Sequence, residues 1–212
     1  AEALIRYRSK SDTLVLPGNF LPLLEEAESI SLIDFYVFRF VCAKLKGWID
    51  NDRQAFPVSV NFSTASLMQP SFVEQLTAIC SSYHISPRYM QIEVTERVHD
   101  MEGLDIKYLI SKLRQAGFTV AIDDFGTEYA NLALLSEVEF DVLKLDILFF
   151  QKSRDIRRER IVVSNVINMA KELDIKTIAE GVEDMDTVEF LRKAGCNVIQ
   201  GYVFAKPMPQ ED

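Results

Sequence analysis

Short apolar runs recur along this chain at helix-length intervals, and several end in a side chain that can bind a cation or a polar ligand. Asn61 follows Val58-Ser59-Val60, and Asp123-Asp124 follow Val120-Ala121-Ile122. Glu180 follows Thr177-Ile178-Ala179, and Gln200 follows Asn197-Val198-Ile199. Strand-like runs alternating with amphipathic segments are the pattern of an α/β fold. In a parallel barrel the strand ends converge on one rim, where the catalytic residues of that fold gather. Glu93 and Lys144 lie just inside their runs, and period-two alternation turns them to the face opposite their apolar neighbours. Convergence would bring carboxylates, amides and one lysine together.

The pattern predicts helices over 31–48, 72–82, 104–116, 157–173 and 186–194, with a short helical turn near 131–137. Strands are expected at 57–60, 90–94, 120–122, 142–145, 175–179 and 197–199. Gly117 and Gly195 stand where a helix C-terminus calls for a left-handed residue. The lysine of Val142-Leu143-Lys144-Leu145 must find a polar place, because that run is too apolar for a surface strand.

Composition narrows the chemistry. At 212 residues and 48% hydrophobic content the chain can bury a large core and fits one globular domain of barrel size. A net charge of −9 argues against a groove that tracks long nucleic acid, which needs a basic footprint. A small phosphate ligand held through metal ions is compatible with it. Cys42, Cys80 and Cys196 are odd in number and have no C-x-x-C spacing, so neither a disulfide framework nor a zinc site is indicated. No apolar run reaches membrane-span length and the N-terminus has no signal-peptide pattern, so a cytoplasmic setting without direct membrane contact is expected. A longer parent protein could still be membrane-anchored.

Asp123 and Asp124 are adjacent carboxylates whose repulsion a hard divalent cation such as Mg²⁺ or Mn²⁺ would relieve. Taken alone, the pair is equally consistent with a turn or a helix N-cap before Phe125-Gly126. Asn61 and Gln200 alone could satisfy backbone groups, Lys144 alone could snorkel or pair with an acid, and Glu2 alone would be a solvated charge. His84 and His99 have no ligand spacing and read as surface or loop residues. The charged stretch 154–160 reads as a solvated helix start. Phe35, Tyr36, Phe38 and Phe40 read as core packing.

Taken in order, Glu2-Ala3-Leu4 with Ile5-Arg6, Val60-Asn61-Phe62-Ser63, Glu93-Val94-Thr95-Glu96 and Asp123-Asp124-Phe125-Gly126-Thr127 resemble motifs of the EAL domain family. Leu143-Lys144-Leu145-Asp146, Ala179-Glu180-Gly181-Val182-Glu183 and Gln200-Gly201-Tyr202 continue the resemblance over essentially the whole chain. It implies a modified TIM (β/α)8 barrel that hydrolyses the bacterial second messenger cyclic di-GMP to linear pGpG, using two Mg²⁺ or Mn²⁺ ions. By resemblance Glu2, Asn61, Glu93 and Asp123 hold one metal, and Asp123 bridges to a second that also uses Asp124. Glu180 binds metal directly or through water. Lys144 orients or helps deprotonate the attacking water, and Glu183 supports the loop and the metal site. Gln200 holds water or ligand, while Ile5 and Arg6 lie toward the substrate, Arg6 at a phosphate. The family also implies a homodimer formed through the loop and helix after Asp124.

The chemistry itself asks for such residues. Phosphodiester hydrolysis needs an activated water, in-line attack and neutralised charge on the non-bridging and leaving oxygens, which a two-metal site supplies together.

Two departures shape the expectations. Glu128 stands where the family has glycine, restricting the backbone of the loop after the aspartates. It supports an alternative in which the module is catalytically inactive and serves as a cyclic di-GMP receptor or a protein-interaction domain. Arg97 and Leu148-Phe149 are lesser variations. The family's first strand and its substrate-side glutamine precede the motif on which this chain opens. The expectation is therefore one domain over 1–212, N-terminally truncated relative to the family, as a fragment of a longer protein or with an incomplete barrel.

Overall fold

The structure is a computed structural model that describes residues 1–95, 105–126, 132–147 and 155–209. Expectations placed on Glu96, Arg97, His99, Thr127 to Asn131 and Leu148-Phe149 lie outside the described residues. The chain divides into two compact units, residues 1–94 with 100–120, and residues 95–99 with 121–212.

The first unit is built on parallel backbone pairing. Glu2 bridges to Ser59 in parallel, with Ala3 N–H donating to the Ser59 carbonyl at 2.9 Å and Ser59 N–H to the Ala1 carbonyl at 2.8 Å. Strand β3 (Val58–Asn61) pairs in parallel with β4 (Met90–Thr95), in a register that sets Asn61 beside Glu93. A short antiparallel pair, β1 (Tyr7–Arg8) and β2 (Leu14–Val15), precedes helices α1 (Leu21–Glu26) and α2 (Ile30–Asp50). After β3 come α3 (Thr64–Leu67) and α4 (Phe72–Ser82), and α5 (Ile106–Gln115) follows β4.

An aromatic cluster fills this unit. The Phe62 and Phe72 rings meet edge to face at 4.9 Å, and Phe38 lies 5.9 Å from Phe62 and 6.2 Å from Phe118. The expectation that Phe35, Tyr36, Phe38 and Phe40 all pack inside is only half met. Phe35 and Phe38 are buried, whereas Tyr36 and Phe40 are exposed. The reason is the helical period, since residues 35, 38, 42 and 45 share one stripe while 36 and 40 fall on the opposite side. Cys42 of α2 and Cys80 of α4 are both buried free thiols. A hydrogen bond with Cys80, reinforced by burial, holds the Cys42 thiol far above the ordinary cysteine range. Cys196 is also free, as the sequence indicates.

In the second unit β5 (Thr119–Phe125), which pairs there from Ala121 on, lies beside β6 (Val142–Asp146), β6 pairs with β7 (Lys176–Glu180), and β7 with β8 (Val198–Ile199), all in parallel. The helices are α6 (Leu132–Glu137), α7 (Ile156–Glu172) and α8 (Met185–Ala194). Asp155 caps α7 by accepting from the N–H groups of Arg157 and Arg158, so the charged stretch is indeed an exposed helix start over its described part. Gly195 ends α8 in the left-handed conformation at φ 88°, and Gly117 adopts φ 91°, as their positions predict. His84 is exposed. Most element boundaries differ from expectation by one or two residues, and three of the differences bear on the site, the first being that Asn61 is the last residue of β3 rather than the residue after it. Strand β7 runs one residue later, so that Glu180 is its last residue, and Asp123-Asp124 lie within β5 rather than after it.

Candidate functional site

Three of the residues singled out in the sequence meet in the first unit. The bridge at Glu2 and the β3–β4 register bring Glu2, Asn61 and Glu93 to the ends of neighbouring parallel segments. Asn61 Nδ2 donates to Glu2 Oε1 at 3.3 Å, and Glu93 is 1% exposed. Deeper along the same strands, Gln91 Nε2 donates to Ser59 Oγ at 2.7 Å, so the two strands also share a buried polar contact. Arg6 is half-buried and spends one of its five N–H donors on the Ile5 carbonyl at 2.8 Å.

The loop leaving Asn61 is pinned by a residue that sequence reasoning missed. Asp34 of α2, 8% exposed, accepts from Ser63 N–H at 2.9 Å, Ser63 Oγ at 2.6 Å and Ser66 Oγ at 2.7 Å. A carboxylate flanked by Ile33 and Phe35 on the apolar first turns of the helix is the signal that could have revealed it, because a buried charge must find donors.

The second unit organises its site around a bulge. Ile122 pairs with Leu143 and Phe125 with Leu145, so two residues of β5, Asp123 and Asp124, oppose one residue of β6, Lys144. Asp124 takes up the extra length at φ 57°, a conformation aspartate tolerates better than most residues, and its N–H donates to Asp123 Oδ1 at 2.9 Å. Lys144, 2% exposed, reaches Asp123 Oδ1 at 3.1 Å and Glu180 Oε1 at 3.0 Å. The requirement that this lysine find a polar place is thus met by two carboxylates. Register also sets Asp146 beside Glu180. Asp146 lies two residues beyond Lys144 and so on its face of the strand; that period-two relation was the available sequence signal for it.

Glu180 leads into a loop that locks against the segment after β8. Gln200 N–H donates to the Ala179 carbonyl at 2.8 Å, Val182 N–H to the Gln200 carbonyl at 3.2 Å and Val203 N–H to the Val182 carbonyl at 3.1 Å. A Cβ on Gly201 would stand 2.1 Å from the Val182 carbonyl oxygen, so glycine is required for this approach. Gln200 and Glu183 both present exposed residues on these locked segments. Asp184 then caps α8 through Thr187, whose backbone N–H and then hydroxyl hold the Asp184 carboxyl below the usual aspartate value.

The donor sets fit hard divalent cations, since they consist of carboxylate and amide oxygens without sulfur or imidazole. Among the described residues, no group of three or more His, Cys, Asp and Glu side chains is already gathered at metal-holding distance. In the second unit the ammonium of Lys144 supplies the positive charge between Asp123 and Glu180.

A family model described as EAL domain matches residues 1–207. The bifunctional diguanylate cyclase/cyclic di-GMP phosphodiesterase MucR of Pseudomonas aeruginosa is 30% identical over 210 residues, covering 99% of this chain and 31% of that protein. The cyclic di-GMP phosphodiesterase NbdA of the same organism is 32% identical over 209 residues, covering 98% of this chain and 27% of that protein. The chain thus spans about a third or less of the length of these relatives. Among solved structures, a MucR phosphodiesterase in complex with c-di-GMP aligns with a TM-score of 0.89 at 30% identity, covering 98% of this chain and 84% of that one.

Proposed function

This chain belongs to the EAL domain family and has its TIM-like α/β fold, and on that premise we propose that it is a metal-dependent phosphodiesterase that hydrolyses cyclic di-GMP to pGpG. The observation that carries the reading is the buried lysine held by two carboxylates opposite the Asp123-Asp124 bulge, at the positions where the family motifs fall. Glu2, Asn61, Glu93, Asp123, Asp124 and Glu180 are the proposed ligands for two Mg²⁺ or Mn²⁺ ions, carried over from those motifs. Bound, such ions supply Lewis-acid charge and ease the formation of hydroxide from water.

The chain's own residues account for the remaining work. Lys144 sits 3.1 and 3.0 Å from two carboxylate oxygens, a geometry that fits the donating ammonium form. An ammonium has no acceptor to take a proton, so Lys144 orients the attacking water and places its positive charge where negative charge develops on the phosphoryl oxygens. Deprotonating that water is therefore not assigned to it. Arg6, beside Ile5, presents a planar donor fork of the kind that grips phosphate. Gln200 orients water or ligand from its locked segment, and Glu183 supports the Glu180 loop ahead of the Asp184 cap.

The proposal extends to a cytoplasmic homodimer formed through the loop and helix after Asp124, supported by Leu132 of α6, which is 56% exposed. Among the described residues no helix is long and apolar enough to cross a membrane. Glu128 in place of the family's glycine favours a second reading, a catalytically inactive cyclic di-GMP receptor. Incubation with cyclic di-GMP and Mg²⁺ or Mn²⁺ separates the two. Release of pGpG that disappears in Glu2→Ala supports the enzyme, whereas tight binding without turnover sinks it and leaves the receptor.

A further inference from the structure

Asn61 closes β3 as an exposed residue, and its amide reaches Glu2 Oε1 at 3.3 Å, at the long edge of an N–H···O hydrogen bond. That contact turns Nδ2 toward Glu2 and leaves Oδ1 as the atom a cation would take. A side chain at a strand end with so light a tether takes its direction from the backbone on either side.

Before Asn61 the backbone is set by parallel pairing with β4 and by the bridge from Glu2 to Ser59. After it, Phe62 is buried against Phe35, Phe38 and Phe72, with ring centres 6.1, 5.9 and 4.9 Å away. Ser63 is then tied to Asp34 of α2, donating from its N–H at 2.9 Å and from its Oγ at 2.6 Å, and Ser66 Oγ donates to the same carboxylate at 2.7 Å. All three donors converge on one oxygen, Oδ2. Contacts this short to a carboxylate are charge-assisted and strong. Only the dihedrals of Asn61 and Phe62 lie between the strand pairing and this anchor.

We propose that Asp34 is a positioning residue for the metal site, which by clamping Ser63 sets the backbone that aims the Asn61 amide oxygen. Asp34 touches neither metal nor substrate in this role, which rests on Asn61 being a ligand in the proposed phosphodiesterase site. A purely structural Asp34 would stabilise the packing of α2 on α3 and leave the affinity for a cation alone. A positioning Asp34 changes that affinity, and does so through Asn61.

Mn²⁺ titration followed by electron paramagnetic resonance separates the two, on variants with a native circular dichroism spectrum. Asp34→Ala should weaken Mn²⁺ binding at least ~tenfold, the scale on which the outer partners of metal ligands act. Asp34→Asn keeps an oxygen for the Ser63 donors and should recover most of that affinity. Ser63→Ala removes one of those donors and should weaken binding about threefold. Ser66→Ala leaves both Ser63 bonds in place and should lower stability without changing Mn²⁺ affinity. Adding Asp34→Ala to Asn61→Ala should weaken binding no further than Asn61→Ala alone, because both act on one ligand.

Mn²⁺ affinity unchanged in Asp34→Ala overturns the proposal, as do losses that add in the double variant, or an Asn61→Ala protein that binds Mn²⁺ as tightly as the wild type. Should Asp34→Ala fail to fold, the serines decide: weaker binding in Ser63→Ala than in Ser66→Ala upholds the positioning role, and equal binding overturns it. The predicted Asp34→Ala loss in a protein that releases no pGpG would sink the phosphodiesterase reading while upholding the positioning of Asn61.

Discussion

The Nζ of Lys144 lies 3.1 Å from Oδ1 of Asp123 on the neighbouring strand, at a point where two residues of β5 oppose one of β6. The bulge puts the single lysine against the aspartate pair, and Glu180 of β7 completes its surroundings at 3.0 Å. A buried ammonium held this way is costly to remove, because the carboxylates left behind lose their compensating charge.

Lys144→Met should therefore lower stability by roughly 3 kcal/mol and reduce turnover by about two to three orders of magnitude. Binding of Mn²⁺, followed by electron paramagnetic resonance, should persist, since the proposed oxygen ligands are untouched. Retained turnover in this variant would remove Lys144 from the chemistry.

Gly201→Ala should be among the most damaging single-methyl additions in the chain. The new Cβ would meet the Val182 carbonyl oxygen at 2.1 Å, on backbone that cannot yield without breaking the Gln200–Val182–Val203 hydrogen bonds. A loss of about 3 kcal/mol or more is expected in urea unfolding. Gly47→Ala, where an added Cβ would meet nothing within 4 Å, provides the contrast and should stabilise α2 slightly.

Asp34→Ala should cost roughly 2–4 kcal/mol, because three donors from Ser63 and Ser66 lose one buried acceptor. Asp34→Asn keeps an acceptor oxygen but loses its charge, so its cost should be about half as large. Equal losses in thermal unfolding would mean that the charge is irrelevant there.

Asp184→Ala carries a pH signature. The folded protein holds the Asp184 carboxyl below the usual value of 3.8, chiefly through the Thr187 backbone N–H and then its hydroxyl. A depressed folded-state value means the cap stabilises fully above the unfolded value and loses that contribution as pH falls through the folded one. The variant should be about 1 kcal/mol less stable at pH 7, and the difference should shrink steadily below pH 4. A gap that stayed constant down to pH 2 would contradict the capping role.

The positions of the site residues along the strands were legible because strands impose a strict period of two and because strand ends are where side chains of this kind can gather. Glu93, Asp123, Lys144 and Glu180 each fall at or near a strand end. The bulge was not legible, since Asp123-Asp124 reads equally as a turn, and only the pairing partner reveals two residues set against one. Tyr36 and Phe40 were misread for a related reason. Four aromatics within six residues look like core, but a helix can bury only one stripe of them.

Residue types, their order and the alternation of strands and helices were determined by the sequence, because periodicity and strand-end chemistry are local properties. Tertiary structure alone decided that Lys144 pairs with both Asp123 and Glu180, that Asp34 holds the loop beyond Asn61, and that Gly201 must lack a side chain. Each of those depends on register and close approach between segments far apart in the chain, and no local pattern encodes such distances.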